Sequence, residues 1–440
     1  MTWLQRYRLA DYIRRSLWIL PVCGMVVALG AVRFLHWVEA AMAWKLPLDP
    51  STTVTLLGAL SSSMFTLIVF VCSALLITVQ LASAQLTPRI IGLVLQNRFT
   101  KLSLTLFVFA FTFALATLVR IKGGVPPLTT YVAVYSCLAS LGVFFYLVDH
   151  ICISLRPSGA LGFVARLGRE VIENVYPRRL SAAQDATPQR AKVMDGEPCW
   201  TIPNLKEGVV LAFDMEGLVA LAQRANCMIV IVPQVGDFVA ADQPLFRIFG
   251  SGAPPSAALL YESLAVGAER TLQQDPSFTF RILVDIASKG LSAAINDPTT
   301  AVLAIDQIQH LLRQIGSRHL NESQVRDGQG SVRLLYRTPD WEDFVYLAVT
   351  EIRQFGGTSI QVARRLRAML EDLIQTLPPE RTAVLQLQLR LLERSAKRFF
   401  EDPEDRAMAD LSDSQGVGGR EVFNDKGTEL PSVQSTTSTI

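Results

Sequence analysis

Charge is scarce in this sequence. Only 18% of its 440 residues are Asp, Glu, Lys or Arg, against about 25% in a typical soluble domain. Half of the residues are hydrophobic, which excludes a disordered chain. Lys and Arg number 41 against 39 acids, so no net basic charge points to nucleic acid. The six cysteines, Cys23, Cys72, Cys137, Cys152, Cys199 and Cys227, form no C-x-x-C pair. The four histidines, His36, His150, His310 and His319, stand apart. A zinc site and a disulfide framework are therefore not expected. No phosphate-binding P-loop, no Gly-rich dinucleotide turn, no G-x-S-x-G and no H-E-x-x-H is present. Neither a catalytic residue nor a cofactor or metal site can be nominated, and the reading is of a protein that is not an enzyme.

The missing charge is concentrated in four uncharged runs. They are Ser16 to Val32 (17 residues), Pro50 to Pro88 (39), Leu102 to Val119 (18) and Gly123 to Val148 (26). A bilayer core about 30 Å thick needs about 20 apolar residues in helix. The runs predict membrane spans at about 16–35, 56–80, 102–120 and 128–148, within a transmembrane domain over 1–155. A soluble bundle would need polar faces, which these runs lack. Arg33 and Arg120 are expected only at span ends, with no ionisable group at depth. Arg6, Arg8, Arg14, Arg15, Arg89, Arg98, Lys101, Arg156, Arg166 and Arg169 flank one side, and Arg33, Lys45, Arg120 and Lys122 the other. This bias predicts both termini in the cytoplasm of a bacterial cell, with the chain in the inner membrane. Trp3, Trp18, Trp37 and Trp44 are candidate interface anchors.

The second run carries a polar stripe. Thr66, Ser73, Gln80 and Thr87 recur every seven residues, with Ser62 and Ser83 beside that line. Such a stripe is either a seam for close helix packing or the lining of a water or ion path. Pro88 restrains Thr87 to an extended backbone, and Arg89 is expected among lipid head groups.

The second half reads as cytoplasmic α+β. A basic helix and linker cover 156–199. A small β-containing subdomain follows at 200–252, with strands at Gly208–Phe213 and from Met228 and a helix from Asp214. Its Gly-Asp-Phe-Val and Pro-Leu-Phe-Arg-Ile segments are similar to half of a lipoyl-type sandwich, but no lysine sits at a hairpin tip, so an interaction domain is expected. A mainly helical part occupies 253–405, including a helical reading of 258–275 and an Asp297 cap before Pro298. A tail at 406–440 is expected to be disordered. Asp275, Asp285, Asn296, Asp297 and Asp306 are the densest acidic and amide set. They read as a metal-dependent hydrolytic site or, more simply, as caps and surface ion pairs; Arg281 and Lys289 stand four residues either side of Asp285.

The order of these pieces resembles one family, the bacterial predicted membrane proteins gathered as domain of unknown function 2254. The resemblance rests on Val79–Arg89, on Glu269-Arg270-Thr271 with Gln274-Asp275-Pro276, on Leu283-Val284-Asp285-Ile286-Ala287, and on Ile295-Asn296-Asp297-Pro298. It covers about 10–400, with Ala293-Ala294 where the family carries Pro-Gly. It implies four spans, a plasma-membrane location and a cytoplasmic C-terminal region, and it supplies no activity. Arg89, Arg270, Asp275, Arg281, Asp285, Asn296, Asp297 and Pro298 are thus motif residues without a role. The sequence leads to an oligomeric channel or transport-associated assembly with a cytoplasmic gating domain. The alternatives are a membrane scaffold or sensor for a cytoplasmic protein partner, and a membrane-bound hydrolase. The expected partners are the lipid bilayer and further copies of the chain.

Overall fold

The computed structural model describes residues 1–42, 49–90, 97–121, 125–180, 197–250, 252–320 and 323–419. Trp44, most of the linker (181–196) and the last part of the tail (420–440) lie outside them.

Among the described residues four helices are long and apolar enough to cross a membrane: α2 (Ile19–Met42), α3 (Pro50–Gln85), α4 (Arg98–Leu118) and α5 (Pro127–Leu155). A short helix, α1 (Trp3–Arg15), precedes them. Each start has a local cause. In α3, Asp49 accepts from the Thr52 amide at 2.9 Å and Pro50 occupies the first turn. In α4, Asn97 accepts from the Phe99 amide. The α5 cap comes from a neighbour. Glu39 of α2, buried, accepts from the Thr129 amide and hydroxyl, both at 2.8 Å. Helix α2 runs past the expected span end at 35, to Met42, and carries Arg33 and Glu39 within its length. Burial and two hydrogen bonds make Glu39 tolerable there.

Helix α4 is the axis of the bundle. It packs on α2, α3 and α5, and Phe107, Ala110, Phe113 and Ala114 are fully buried. Helix α3 buries Leu57, Met64, Val71 and Leu75 in the same cluster. At 36 residues and about 1.5 Å per residue, α3 is about 54 Å long, well beyond the hydrocarbon thickness.

The remaining described residues form two cores. The helical core contains α6 (Pro157–Val175), α9 (Pro276–Gly290), α10 (Pro298–Gly316), α11 (Trp341–Phe355), α12 (Ile360–Thr376) and α13 (Thr382–Phe399). Ala82 and Leu86, at the end of α3, belong to this core. So does α6, which follows α5 after a break at the extended Arg156 before Pro157. Two apolar helices are thus continuous with the extramembrane core.

The second core lies under β-structure: β1 (Trp200–Pro203), β2 (Gly208–Phe213), β3 (Met228–Ile231), β4 (Phe238–Val239), β5 (Pro244–Phe249), β6 (Leu264–Gly267), β7 (Gln324–Arg326) and β8 (Val332–Leu335), with α7 (Met215–Arg224) and α8 (Ala257–Glu262). One sheet has the order β1-β5-β3-β8-β7 and the other β4-β2-β6. Among the described strands only β3 and β8 run parallel, with Ile229 opposite Leu334. The helical reading of 258–275 gives way to α8 and β6. Leu264 to Gly267 lie opposite Phe213 to Val209 of β2, and that pairing overrides local helical spacing. The expected tail is ordered as far as 419. α14 (Pro403–Ala409) ends it helically, and Asp413 then accepts from the Gly416 and Gly418 amides at 2.8 and 2.7 Å.

Candidate functional site

Helix α9 presents a row of charge to the end of α3. Asp275 caps α9, accepting from the Phe278 amide at 3.0 Å. One turn on, Arg281 donates from Nε to Asp285 at 2.6 Å. The same guanidinium grips Glu351 of α11 with two prongs, at 2.5 and 2.7 Å, the geometry that suits planar guanidinium and carboxylate. Asp285 also accepts from Arg89, which the short 3-10 turn Pro88–Ile90 carries beyond α3. Arg89, Asp285, Arg281 and Glu351 therefore alternate in sign from the end of α3 to α11. Another turn along α9, Lys289 donates to the Ser83 carbonyl at 2.7 Å. Helix α9 thus holds α3 on both sides of its last turn.

A second pair adjoins the first. Arg270 donates from Nε to Asp275 at 2.8 Å and from Nη2 at 2.6 Å. The Phe278 ring lies between the two clusters, with the guanidinium carbons of Arg89 and Arg270 at 6.0 and 5.5 Å from its centroid. Gly236 closes over the pair. Its φ of +94° and its contact with Arg270 and Asp275 leave no space for a Cβ. The loop 270–275 is itself anchored. Gln273 donates to Asp11 of α1 at 3.2 Å, and Gln274 bonds both backbone groups of Phe213.

The electrostatics follow from exposure. Burial pushes the Asp275 carboxyl above the usual range, and the Arg270 guanidinium pulls against it. Hydrogen bonds from Arg281 hold Glu351 below its usual range despite some burial. Burial, and then the positive charges of Arg281 and Arg270, lower Arg89. Arg89 and Glu351 are 45% and 41% exposed and Asp285 is 21%, so water screens the outer links and each contributes about 0.2–1 kcal/mol.

Of the motif residues, Arg89, Arg270, Asp275, Arg281 and Asp285 come together here. Asn296, Asp297 and Pro298 do not. They form the turn between α9 and α10, where Asn296 adopts φ +50° and Asp297 accepts from the Thr300 amide at 3.1 Å. Asp306 pairs with Arg365 at 2.8 Å, on another face. Each acid of the hydrolytic reading is thus engaged by an arginine or a helix cap. Among the described residues no group of three His, Cys, Asp or Glu converges on a metal position. Arg89 faces Asp285 rather than only head groups. Glu351 and Phe278 were not singled out by the sequence. Lys289 stands four residues from Asp285 but reaches Ser83 instead, and no local pattern marks Glu351.

The polar stripe points away from the bundle. Ser62, Thr66, Ser73 and Gln80 are exposed, Ser83 is half-buried and only Thr87 is buried. The Thr66 and Ser73 hydroxyls donate to the Ser62 and Val69 carbonyls of their own helix. Among the described residues the stripe lines no path within one copy.

The sequence profile of one family, described as predicted membrane protein (DUF2254), matches residues 14–372. The chain belongs to this family. Uncharacterised proteins of Mycobacterium tuberculosis (strain H37Rv) and Mycobacterium bovis are each 26% identical to it over 424 residues, covering 92% of this chain and 80% of theirs. No solved structure matches. Family membership and the four apolar helices agree on a membrane protein.

Proposed function

We propose that this DUF2254 protein is a non-enzymatic, oligomeric channel or transport-associated assembly of the bacterial inner membrane, in which a cytoplasmic domain controls helix α3. Both termini lie in the cytoplasm on this reading. The observation that carries it is the double hold of α9 on α3, through Arg89–Asp285 and Lys289–Ser83. A domain that only decorates a membrane anchor has no need to grip the end of one long helix by its backbone and its side chain. A partner or ligand that shifts α9 shifts α3 with it. Several linked, half-exposed ion pairs amount to about 1–3 kcal/mol, a gap small enough for a binding event to overcome.

The stripe gives this arrangement a route to oligomers. Thr66, Ser73 and Gln80 face outward at seven-residue spacing, where α3 of a second copy can satisfy them; such interhelical hydrogen bonds contribute about 0.6 kcal/mol each. A path would then run between copies. Liposome flux with purified wild-type protein and the Asp285→Asn variant tests the reading. Conductance that changes on releasing the clasp is expected, and absence of conductance in both removes the channel. The scaffold alternative draws support from Phe355, 57% exposed at the end of α11, beside Phe399 on Gly357. Specific capture of one protein by full-length chain, lost in Phe355→Ser, would favour it.

A further inference from the structure

A cleft lies away from the clasp, between α1 and β6. Its volume is about 580 Å³, within the roughly 300–1,000 Å³ of small-molecule sites. Its position is fixed by two membrane helices. Immediately after α1 the chain enters α2 at Ile19. The buried Lys101 ammonium, at the start of α4, donates to the Ile13 carbonyl at 3.3 Å and to that of Arg14. Helix α1 is therefore pinned where two of the apolar helices begin, and Ser16 and Trp18, at that junction, line the cleft. Trp18 and Tyr12 line it and are 57% and 54% exposed. Aromatic side chains of this kind occupy the membrane–water interface.

Charge in the cleft is balanced rather than one-sided. Arg15 pairs with Asp11 at 2.9 Å. Arg8 and Glu269 line the same cleft, and among the described residues neither has an ion-pair partner. An unpaired cation and an unpaired anion, held apart on facing walls of α1 and the β6 end, complement a ligand that carries both signs. The floor is apolar, from Leu211, Ala265 and Val266.

We propose that this cleft binds the head group of a zwitterionic, amine-bearing phospholipid from the adjoining leaflet. Arg8, with Arg15, takes the phosphate; Glu269, with Asp11, takes the ammonium. A purely anionic lipid would satisfy Arg8 but meet Glu269 and Asp11. This assignment does not rest on the channel reading.

The test uses delipidated full-length protein in detergent, with binding read by native mass spectrometry and by melting temperature. The probes are phosphatidylethanolamine, phosphatidylglycerol and water-soluble phosphoethanolamine. Phosphatidylethanolamine is expected to bind at least tenfold more tightly than either of the others. Arg8→Ala and Glu269→Gln should each reduce that preference at least fivefold, and Arg6→Ala, outside the cleft lining, should leave it unchanged. Equal binding of phosphatidylglycerol would overturn the zwitterion assignment. Equal binding of phosphoethanolamine would overturn the lipid source. Full preference retained in both cleft variants would overturn the site.

Discussion

Replacing Asp285 with Asn keeps the shape of the clasp and removes its central charge. Arg89 then loses its only carboxylate among the described residues, and Arg281 keeps Glu351 alone. The Arg89 link is half-exposed and contributes about 0.2–1 kcal/mol. The Arg281 link is less exposed, 22% and 21%, and lies near the top of that range. A total loss of about 1–2 kcal/mol is expected. For an extramembrane region of this size that corresponds to a fall in melting temperature of about 2–8 °C. The stronger measurement is a double-mutant cycle with Arg89→Gln, in full-length protein in nanodiscs. Because the pair is direct, the two changes should be less than additive, with a coupling of about 0.5–1 kcal/mol. Additivity within about 0.3 kcal/mol would refute the claim that Asp285 holds the end of α3.

Three further outcomes follow from the geometry. Glu351 titrates below its ordinary value because Arg281 bonds its ionised form. Its contribution is therefore complete above about pH 4.3 and is lost as pH falls through the lowered value; wild type should lose more stability than Glu351→Gln between pH 5 and about pH 3 in calorimetry. Gly236→Ala forces a positive φ on alanine and drives its Cβ into Arg270 and Asp275, so chemical denaturation should show a loss of about 1–3 kcal/mol. Lys101→Met removes the cation that caps the α1 carbonyls, so limited trypsinolysis should cut faster after Arg14 and Arg15.

What the sequence disclosed was what local physics decides. A helix surrounded by hydrocarbon must lack charge, so four uncharged runs marked α2 to α5. Cap chemistry is equally local, and Asp214, Asp297 and Pro298 marked the starts of α7 and α10. The Arg281–Asp285 pair was legible because i and i+4 share a helix face. What escaped depends on distant chain. Arg89 and Asp285 are 196 residues apart, and Glu351 joins them only because α11 packs on α9. The period of the α3 stripe was visible in sequence, but its azimuth was not; Leu57, Val71 and Leu75, rather than the polar line, face α4. β6 was hidden because Leu264 to Gly267 continue a helical-looking spacing until pairing with β2 claims them. α1 carried its signal, a Thr2–Gln5 capping box, but buries no residue of its own and so shows no apolar run.

The direct measurement is cross-linking of α3 to α9 in lipid. Ser83→Cys and Lys289→Cys, in a cysteine-free background, place two thiols where Lys289 meets the Ser83 carbonyl. A short bifunctional maleimide should join them rapidly in reconstituted protein, and more slowly when Asp285→Asn is added. Failure to cross-link in lipid, with both thiols accessible to single-ended reagent, would contradict the coupling of the two halves.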